Sequence, residues 1–336
     1  MKSMVLKIIA WLSYYFGVNA FFYRLNCHRK RIITFHNILP DEIFRADLSN
    51  GVSNSASSFR SIIREIKKRF PFSINLKDSK AVTITFDDGY LNQYEVAAKI
   101  LKEEGDIPAI LFVAGDLIDN SLPGEALTID KLLHWTSYAP NGDYQFKDAD
   151  GGTHQFNLKK DNRIAIWREK IWPGYVRDVA NRGNQLLAQL DAQYAIQELF
   201  SQLPDAYKRL RLTGVSQTQL NELRTRGWEI GWHTKSHFPL SALSHEEKII
   251  EIQPPKGFED VVFSYPYGEL QSVDAATIEI AQLCGFPCAV ANIMQTNKLT
   301  SNYFICRMDL SSNKYRLHFR LSGAEVFFRK FFQGVQ

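Results

Sequence analysis

The sequence predicts an α/β fold: a parallel sheet or barrel of about seven strands, most of them separated by helices. Two observations carry this. Short β-branched or apolar runs recur from Arg31 to Arg307 and alternate with segments whose apolar residues have helical spacing. Several of those runs end in charged or aromatic polar residues, as strands do at the mouth of a barrel. A third observation qualifies the other two. Residues 116–210 break the rhythm with roughly 90 residues between two strands, far above the usual ~2–6, so they read as an inserted, mostly helical subdomain or lid between strands three and four.

The 336 residues are 45% hydrophobic and 23% charged, ordinary for a globular chain with ample material for a core. The length suits one barrel-sized domain with an insertion, or two small domains. A net charge of +4 and the absence of a long basic run with interleaved aromatics argue against nucleic acid as a partner. Cys27, Cys284, Cys288 and Cys306 form no C-x-x-C and read as small buried hydrophobes in a reduced compartment.

Residues 1–30 combine an apolar run, Ile8 to Tyr23, with a basic cluster of Arg24, His28, Arg29 and Lys30 that continues into Arg31. At about 16 residues the run is short of the ~20 that span a bilayer. It reads as an exported signal segment cut near Val18-Asn19-Ala20, as an interfacial helix with Trp11, Tyr14, Tyr15 and Phe16 at the lipid boundary, or as the domain's first helix. The basic cluster runs directly into the next strand, which favours the last two together and a cytoplasmic location at the inner face of the membrane.

From residue 31 to 310 the elements follow in order. Arg31–His36 is a strand ending at His36. A polar loop holding Ser53–Ser58 leads to a helix near Phe59–Arg69, with Ile62, Ile63 and Ile66 on one face. Val82, Ile84 and Phe86 alternate with Thr83 and Thr85, a second strand, and Asp87-Asp88-Gly89-Tyr90 follows. The tripeptide Asp87-Asp88-Gly89 also suits a plain polar turn. A helix runs to Glu104 and closes at Gly105, and Ala109–Val113 is a buried strand. Inside the insertion, Thr128–Trp135 reads as helix. Tyr144–Phe156 reads as a hairpin about Asp150-Gly151-Gly152, and Asp161–Tyr194 as one or two helices broken at Pro173-Gly174. Its aromatics suit either sugar stacking or the insertion's own core. Capping boxes at Ser216-x-x-Gln219 and Ser244-x-x-Glu247 start helices either side of the strand Trp228–Trp232. Val261–Tyr265, Cys288–Ala291 and Tyr303–Arg307 are the last strands, with a helix at Ala275–Leu283. Residues 311–336 are basic and aromatic and read as a terminal helix, a second candidate for membrane contact.

His233-x-x-x-His237 follows the Trp228–Trp232 strand, and the two imidazoles share a face if the segment is one helical turn. Two neutral imidazoles and one carboxylate make a ligand set that leaves positions for water and substrate on a catalytic metal. Adjacent residues at a strand end point to different sides, so one of Asp87 and Asp88 can ligate while the other faces substrate.

The motifs T-F-D-D-G-Y (85–90), H-T-K-S-H (233–237) and F-S-Y-P-Y-G (263–268), in this order and at strand ends, resemble those of the NodB-type polysaccharide deacetylases, carbohydrate esterase family four. G-W-E-I-G-W-H-T, P-L-S-A-L-S and an early T-F-H agree as well, so the resemblance spans Arg31 to about Arg307 apart from the insertion. It implies a distorted (β/α) barrel of about seven parallel strands. It also implies a divalent metal, most often Zn2+, held by Asp88, His233 and His237, with Asp87 as the catalytic base. The Tyr267 backbone N–H, after Pro266, helps hold the oxyanion, and Tyr90, Pro266 and Tyr267 line the substrate side. The implied reaction is metal-assisted hydrolysis of an N-acetyl group on a polysaccharide or lipid-linked glycan. There are two departures from the family pattern. Ser264 stands where many members carry an Arg that steadies the base, and Arg307 is the candidate substitute. The late L-x-x-H motif that supplies the general acid has no clear counterpart, which leaves His36 and His318, with His36 preferred. His134, His154 and His245 read as structural. The alternatives are a deformylase or esterase on a related glycan, or an impaired carbohydrate- or membrane-binding protein of the same fold.

Overall fold

The computed structural model describes residues 2–45, 52–148, 150–181, 185–268, 272–293 and 301–333. Seven strands form one sheet whose spatial order is their chain order: β1 (Arg31–Phe35), β2 (Val82–Phe86), β3 (Ala109–Val113), β4 (Glu229–Trp232), β5 (Phe263–Ser264), β6 (Ala289–Ala291) and β7 (Ile305–Cys306). Every neighbouring pair is parallel. Met308, just past β7, bridges Ile33 in parallel register. Its N–H donates to the Ile32 carbonyl at 3.0 Å and its carbonyl accepts from Thr34 N–H at 3.0 Å. The sheet therefore curls round until its last strand meets its first, a nearly closed, distorted (β/α) barrel as expected.

The strand sequences explain the closure. β1, β2 and β3 are buried along their whole length, so they read as continuous apolar and threonine runs. Alternate positions split between two clusters. Ile33, Phe35, Ile84, Phe86, Leu111 and Val113 pack in the large outer core with helices such as Ala56–Lys67. Ile32, Ile110, Phe112, Val262, Val290 and Ile305 form the smaller inner one.

Several expectations are corrected in detail. β5, β6 and β7 are shorter than predicted, two or three residues each. Ser53–Ser55, expected as loop, pairs in parallel with Asn37–Leu39, and Ser55 caps the helix Ala56–Lys67. Both predicted capping boxes form. Pro173-Gly174 breaks nothing. A wide π-type turn at Trp167–Ile171 lies just ahead of Trp172–Ala180, whose first turn contains Pro173, so the proline's missing N–H is tolerated. The C-terminal segment is two helices, Lys314–Leu321 and Ala324–Gln333, divided at Gly323 with φ 84°. Residues 334–336 lie outside the described residues. Among the described residues the cysteines form no disulfide; only Cys306 is buried, Cys284 and Cys288 are half-buried, and Cys27 is exposed rather than buried.

The segment between β3 and β4 holds the helix Thr128–Tyr138, an antiparallel hairpin (Gly142–Lys147 with Thr153–Leu158) and further helices down to Asp205–Leu212. Its apolar core includes Trp135, Phe146, Tyr175 and Leu199 and continues without a break into Tyr90, Leu91 and Ala114 of the barrel. The insertion is thus packed on the barrel mouth. At the junction Arg211 pairs with Asp130, stands 4.8 Å from the centre of the Tyr90 ring, and Tyr90 donates its hydroxyl to Asp130. Such a buried pair is costly to break on one side only.

His134 sits in this junction, buried. Its Nδ1–H donates to the Asp130 carbonyl at 2.7 Å and its Nε2 accepts from Tyr207 Oη at 3.0 Å. Burial, aided by Arg211, pushes its pKa down to about 4. The unfolded chain, with an ordinary His pKa near 6.5, therefore takes up a proton first as pH falls. Stability is lost from about pH 6.5 down to about pH 4, by roughly 3 kcal/mol for this one group. His134→Gln is expected to be less stable than wild type at pH 7, with the gap shrinking by that order at pH 4 in chemical denaturation. A gap that stays constant with pH would contradict this role for His134.

Candidate active site

The strand registers bring the sequence-predicted residues together. Phe35 is level with Phe86, so His36 and Asp87 emerge side by side, and Asp87 N–H donates to the Phe35 carbonyl at 3.0 Å. Val113 is level with Trp232, and His233 N–H donates to the Val113 carbonyl at 3.0 Å. Asp88, His233 and His237, all buried, offer three ligand atoms within 4.8 Å of one another.

The route to that cluster differs from the predicted one. H-T-K-S-H is not a helical turn: Thr234 and His237 both take left-handed backbone angles, φ 64° and 58°, and His237 N–H donates to Thr234 Oγ1 at 3.0 Å. Nor do Asp87 and Asp88 diverge by strand alternation. β2 stops at Phe86 and Asp88 turns away with φ 86°, followed by Gly89 at φ 95°. A Cβ on Gly89 would stand 2.6 Å from Val113, so only glycine fits. Tyr267 is left-handed too, at φ 61°. Positive φ in non-glycine residues is uncommon, and here it concentrates at one mouth.

His233 Nδ1–H donates to the Ser264 carbonyl at 2.7 Å, which leaves Nε2 unprotonated and 3.8 Å from Asp88 Oδ1. Burial pushes the His233 pKa down to about 3, so the ring is neutral. His237 Nε2 lies 3.4 Å from the same oxygen, and its Nδ1 is buried with no partner. Separations of 3.4 and 3.8 Å are long for hydrogen bonds. They suit ligands about 2.1 Å from a common tetrahedral ion, which stand ~3.4 Å apart. Asp88 points the same way: burial raises its pKa, and His36 and His237 only partly oppose that. A buried carboxylate short of positive charge and two imidazoles with free nitrogens fit a divalent cation.

Asp87 is neutralised separately. Arg307, fully buried, grips it with Nη1 to Oδ1 and Nη2 to Oδ2, both 2.7 Å, and also donates to Thr85 Oγ1 and Ser264 Oγ at 3.1 and 2.9 Å. Its guanidinium carbon stands 5.2 Å from the centre of the Phe112 ring. Burial alone would raise the Asp87 pKa, but the charge and hydrogen bonds of Arg307, with His36 nearby, hold it well below the usual carboxylate range. Ser264, at the position of the family's arginine, thus receives a hydrogen bond from the arginine two strands on.

His36 Nε2 is 3.8 Å from Asp87 Oδ2 and its side chain is partly exposed at the mouth. His318 is excluded from the site. Both its ring nitrogens are committed, to Tyr23 Oη and Glu65 Oε1 at 2.9 Å each, in the layer of terminal helices. Tyr90 is also corrected: its ring is fully buried against the insertion, so it anchors the loop after Asp88 and does not line an open substrate surface. Pro266 is buried and Tyr267 half-buried. The Tyr267 hydroxyl donates to the His237 carbonyl at 3.3 Å, and its ring packs 4.8 Å from those of His237 and Trp172. Among the described residues no protein acceptor takes the Tyr267 N–H. Trp172 is one of the insertion's aromatics expected either to stack on sugars or to pack its core, and it packs on Tyr267 beside the site; Asp130 and Arg211 had no role assigned from sequence, since they meet the site only through the insertion's docking.

The family described as polysaccharide deacetylase matches residues 75–289, more than half of the chain. No curated protein matches it. Among solved structures the chain is similar to the Streptococcus pyogenes deacetylase PplD in complex with acetate, with a TM-score of 0.52 and 13% identity, covering 88% of this chain and 98% of that one. It is also similar to IcaB from Ammonifex degensii (TM-score 0.47, 14% identity, 88% and 96% covered). A third is a de-N-acetylase from Aggregatibacter actinomycetemcomitans (TM-score 0.47, 13% identity, 85% and 96% covered). At these identities the likeness to PplD is one of fold.

Equilibrium dialysis with Zn2+ or Co2+ tests the cluster. Wild type is expected to hold about one ion, and His237→Ala or Asp88→Ala to weaken binding by about 100-fold or more. Undiminished binding in both variants would place the ion elsewhere.

Proposed function

From the premise that this chain belongs to the polysaccharide deacetylase family, hydrolases of amide bonds on glycans, we propose that it removes N-acetyl groups from a sugar of a polysaccharide or lipid-linked precursor, using a divalent metal at Asp88, His233 and His237. The observation that carries the reading is the division of labour between the two adjacent carboxylates, one paired with Arg307 and the other facing two free imidazole nitrogens.

The residues would act as follows. Asp88, His233 and His237 would hold the ion, and Zn2+ suits a set of two imidazoles and one carboxylate. Bound there, it would polarise the acetyl carbonyl and lower the pKa of a neighbouring water toward ~7. Asp87, held ionised and oriented by the two-pronged Arg307 contact, takes the proton of the attacking water. The Tyr267 N–H stabilises the oxyanion, and one good donor of this kind is worth roughly 3–4 kcal/mol. The C–N bond then breaks, with His36 donating the proton that leaves the product as a free amine beside acetate. The buried, left-handed loops keep these groups from drifting, so little reorganisation accompanies the reaction. A lipid-linked substrate at the inner face of the membrane is the finer part of the proposal, supported by the aromatic and basic chain ends.

Asp87→Asn is expected to keep its metal and lose acetate release by about 10²–10⁴-fold. Full activity in that variant would remove Asp87 as the base. His36→Gln is expected to lose activity on N-acetyl sugars but much less on an aryl acetate ester, whose leaving group needs no proton. An equal loss on both substrates would deny His36 the role of acid.

A further inference from the structure

We propose that the two ends of the chain form one composite surface built to rest on an anionic lipid bilayer without crossing it. The proposal deepens the membrane-proximal part of the reading above, yet it stands on separate observations.

The first is charge. Residues 1–40 carry six Lys and Arg and no acid, and residues 311–336 carry five and one acid. The ends thus hold a balance of +10 in a chain whose net charge is +4, leaving −6 on the 270 residues between. Of these cations Lys30, Arg31 and Arg320 are buried with internal partners, while Lys7, Arg24, Lys314 and Lys330 are exposed; the acid, Glu325, is buried and bonded to Arg320 and Arg329, so the exposed charge of the ends is positive. Such a surface complements anionic headgroups.

The second is that the first helix is apolar on both sides. Its inner face, with Leu6, Ile9 and Ala10, packs with Phe319, Ala324 and Phe328. Its outer face shows Val5, Ile8, Trp11, Leu12 and Tyr15 at helical spacing, where a surface helix would carry polar residues. Phe16 and Phe21 beyond it are 75% and 61% exposed.

The third is that the ends are joined. Tyr15 and Tyr315 share a hydrogen bond at 3.2 Å, and Phe22 packs 5.3 Å from Phe327, itself more than half exposed. The aromatic rim is therefore held by the fold and is in place before any lipid arrives. Among the described residues no single helix is long and apolar enough to cross a membrane. The pair Val5–Tyr15 and Val18–Leu25 passes only jointly and is bent by 82° at Gly17, whose φ of 74° is left-handed. A bent pair packed on one side against the protein suits the plane of the interface.

The test is flotation of the full chain with vesicles, without glycan substrate. The protein is expected to bind vesicles of phosphatidylcholine with roughly 30% phosphatidylglycerol, and to bind about tenfold less to phosphatidylcholine alone or at high salt. Phe16→Glu with Phe21→Glu should abolish binding while leaving the melting temperature and acetate release from a soluble substrate unchanged. Four results would overturn the proposal. They are no binding to the anionic vesicles, binding unaffected by the double substitution, resistance to alkaline carbonate extraction, which marks a spanning segment, or a wild-type dimer that the substitution converts to monomer, which marks a second copy as the occupant. The deacetylase reading is untouched by any of these, because it is measured on the soluble substrate.

Discussion

Two carboxylates that are adjacent in sequence and both buried cannot share one counter-charge, and the architecture of the mouth follows from this constraint. Isolated buried charges are too costly to persist unpaired. Asp87 receives Arg307 from the far edge of the sheet, 220 residues away. That contact forms only if the barrel curls enough to bring the end of β7 beside β1 and β2, as the Met308 bridge does. Asp88 receives no arginine among the described residues. It faces two imidazoles, one fixed by the Ser264 carbonyl, and the charge it still lacks is one that the proposed divalent ion would supply. Ser264 serves both halves, since its carbonyl orients His233 and its hydroxyl receives Arg307.

Holding the halves apart uses backbone conformations that side-chain-bearing residues avoid. Asp88, Thr234, His237 and Tyr267 have positive φ, at a cost on the order of 1–3 kcal/mol each. The barrel offsets this through burial on both strand faces, and the insertion adds a second support. Tyr90, two residues from Asp88, is locked under Arg211 and Asp130. The insertion therefore does more than cover the mouth, because it fixes the loop that carries Asp88, the carboxylate of the proposed metal site.

Much of this was legible in the sequence, and the parts that were not have a common cause. The barrel strands announce themselves by local alternation or by apolar runs, and the three motifs sit at strand ends, so the fold class and the clustering of Asp87, Asp88, His233 and His237 could be read. Arg307 could be named because a family arginine was missing at Ser264 and a strand-end position was open. His318 could not be separated from His36 by pattern. Its engagement with Tyr23 and Glu65 is a contact between chain segments some 250 residues or more apart. The Asp130–Arg211–Tyr90 junction and the pairing of the two chain ends are invisible for the same reason. Local errors had local causes: a π-type turn absorbed Pro173, and left-handed residues replaced the helical turn expected at H-T-K-S-H.

The most direct test of the account is to follow acetate and free amine together, from an N-acetylated sugar oligomer, in metal-loaded and chelator-treated protein. Equal amounts of acetate and amine are expected from the loaded protein, with near-complete loss on chelation and recovery when one equivalent of metal is restored. Equal hydrolysis by the metal-free protein, or a loaded protein that releases no acetate, would contradict it.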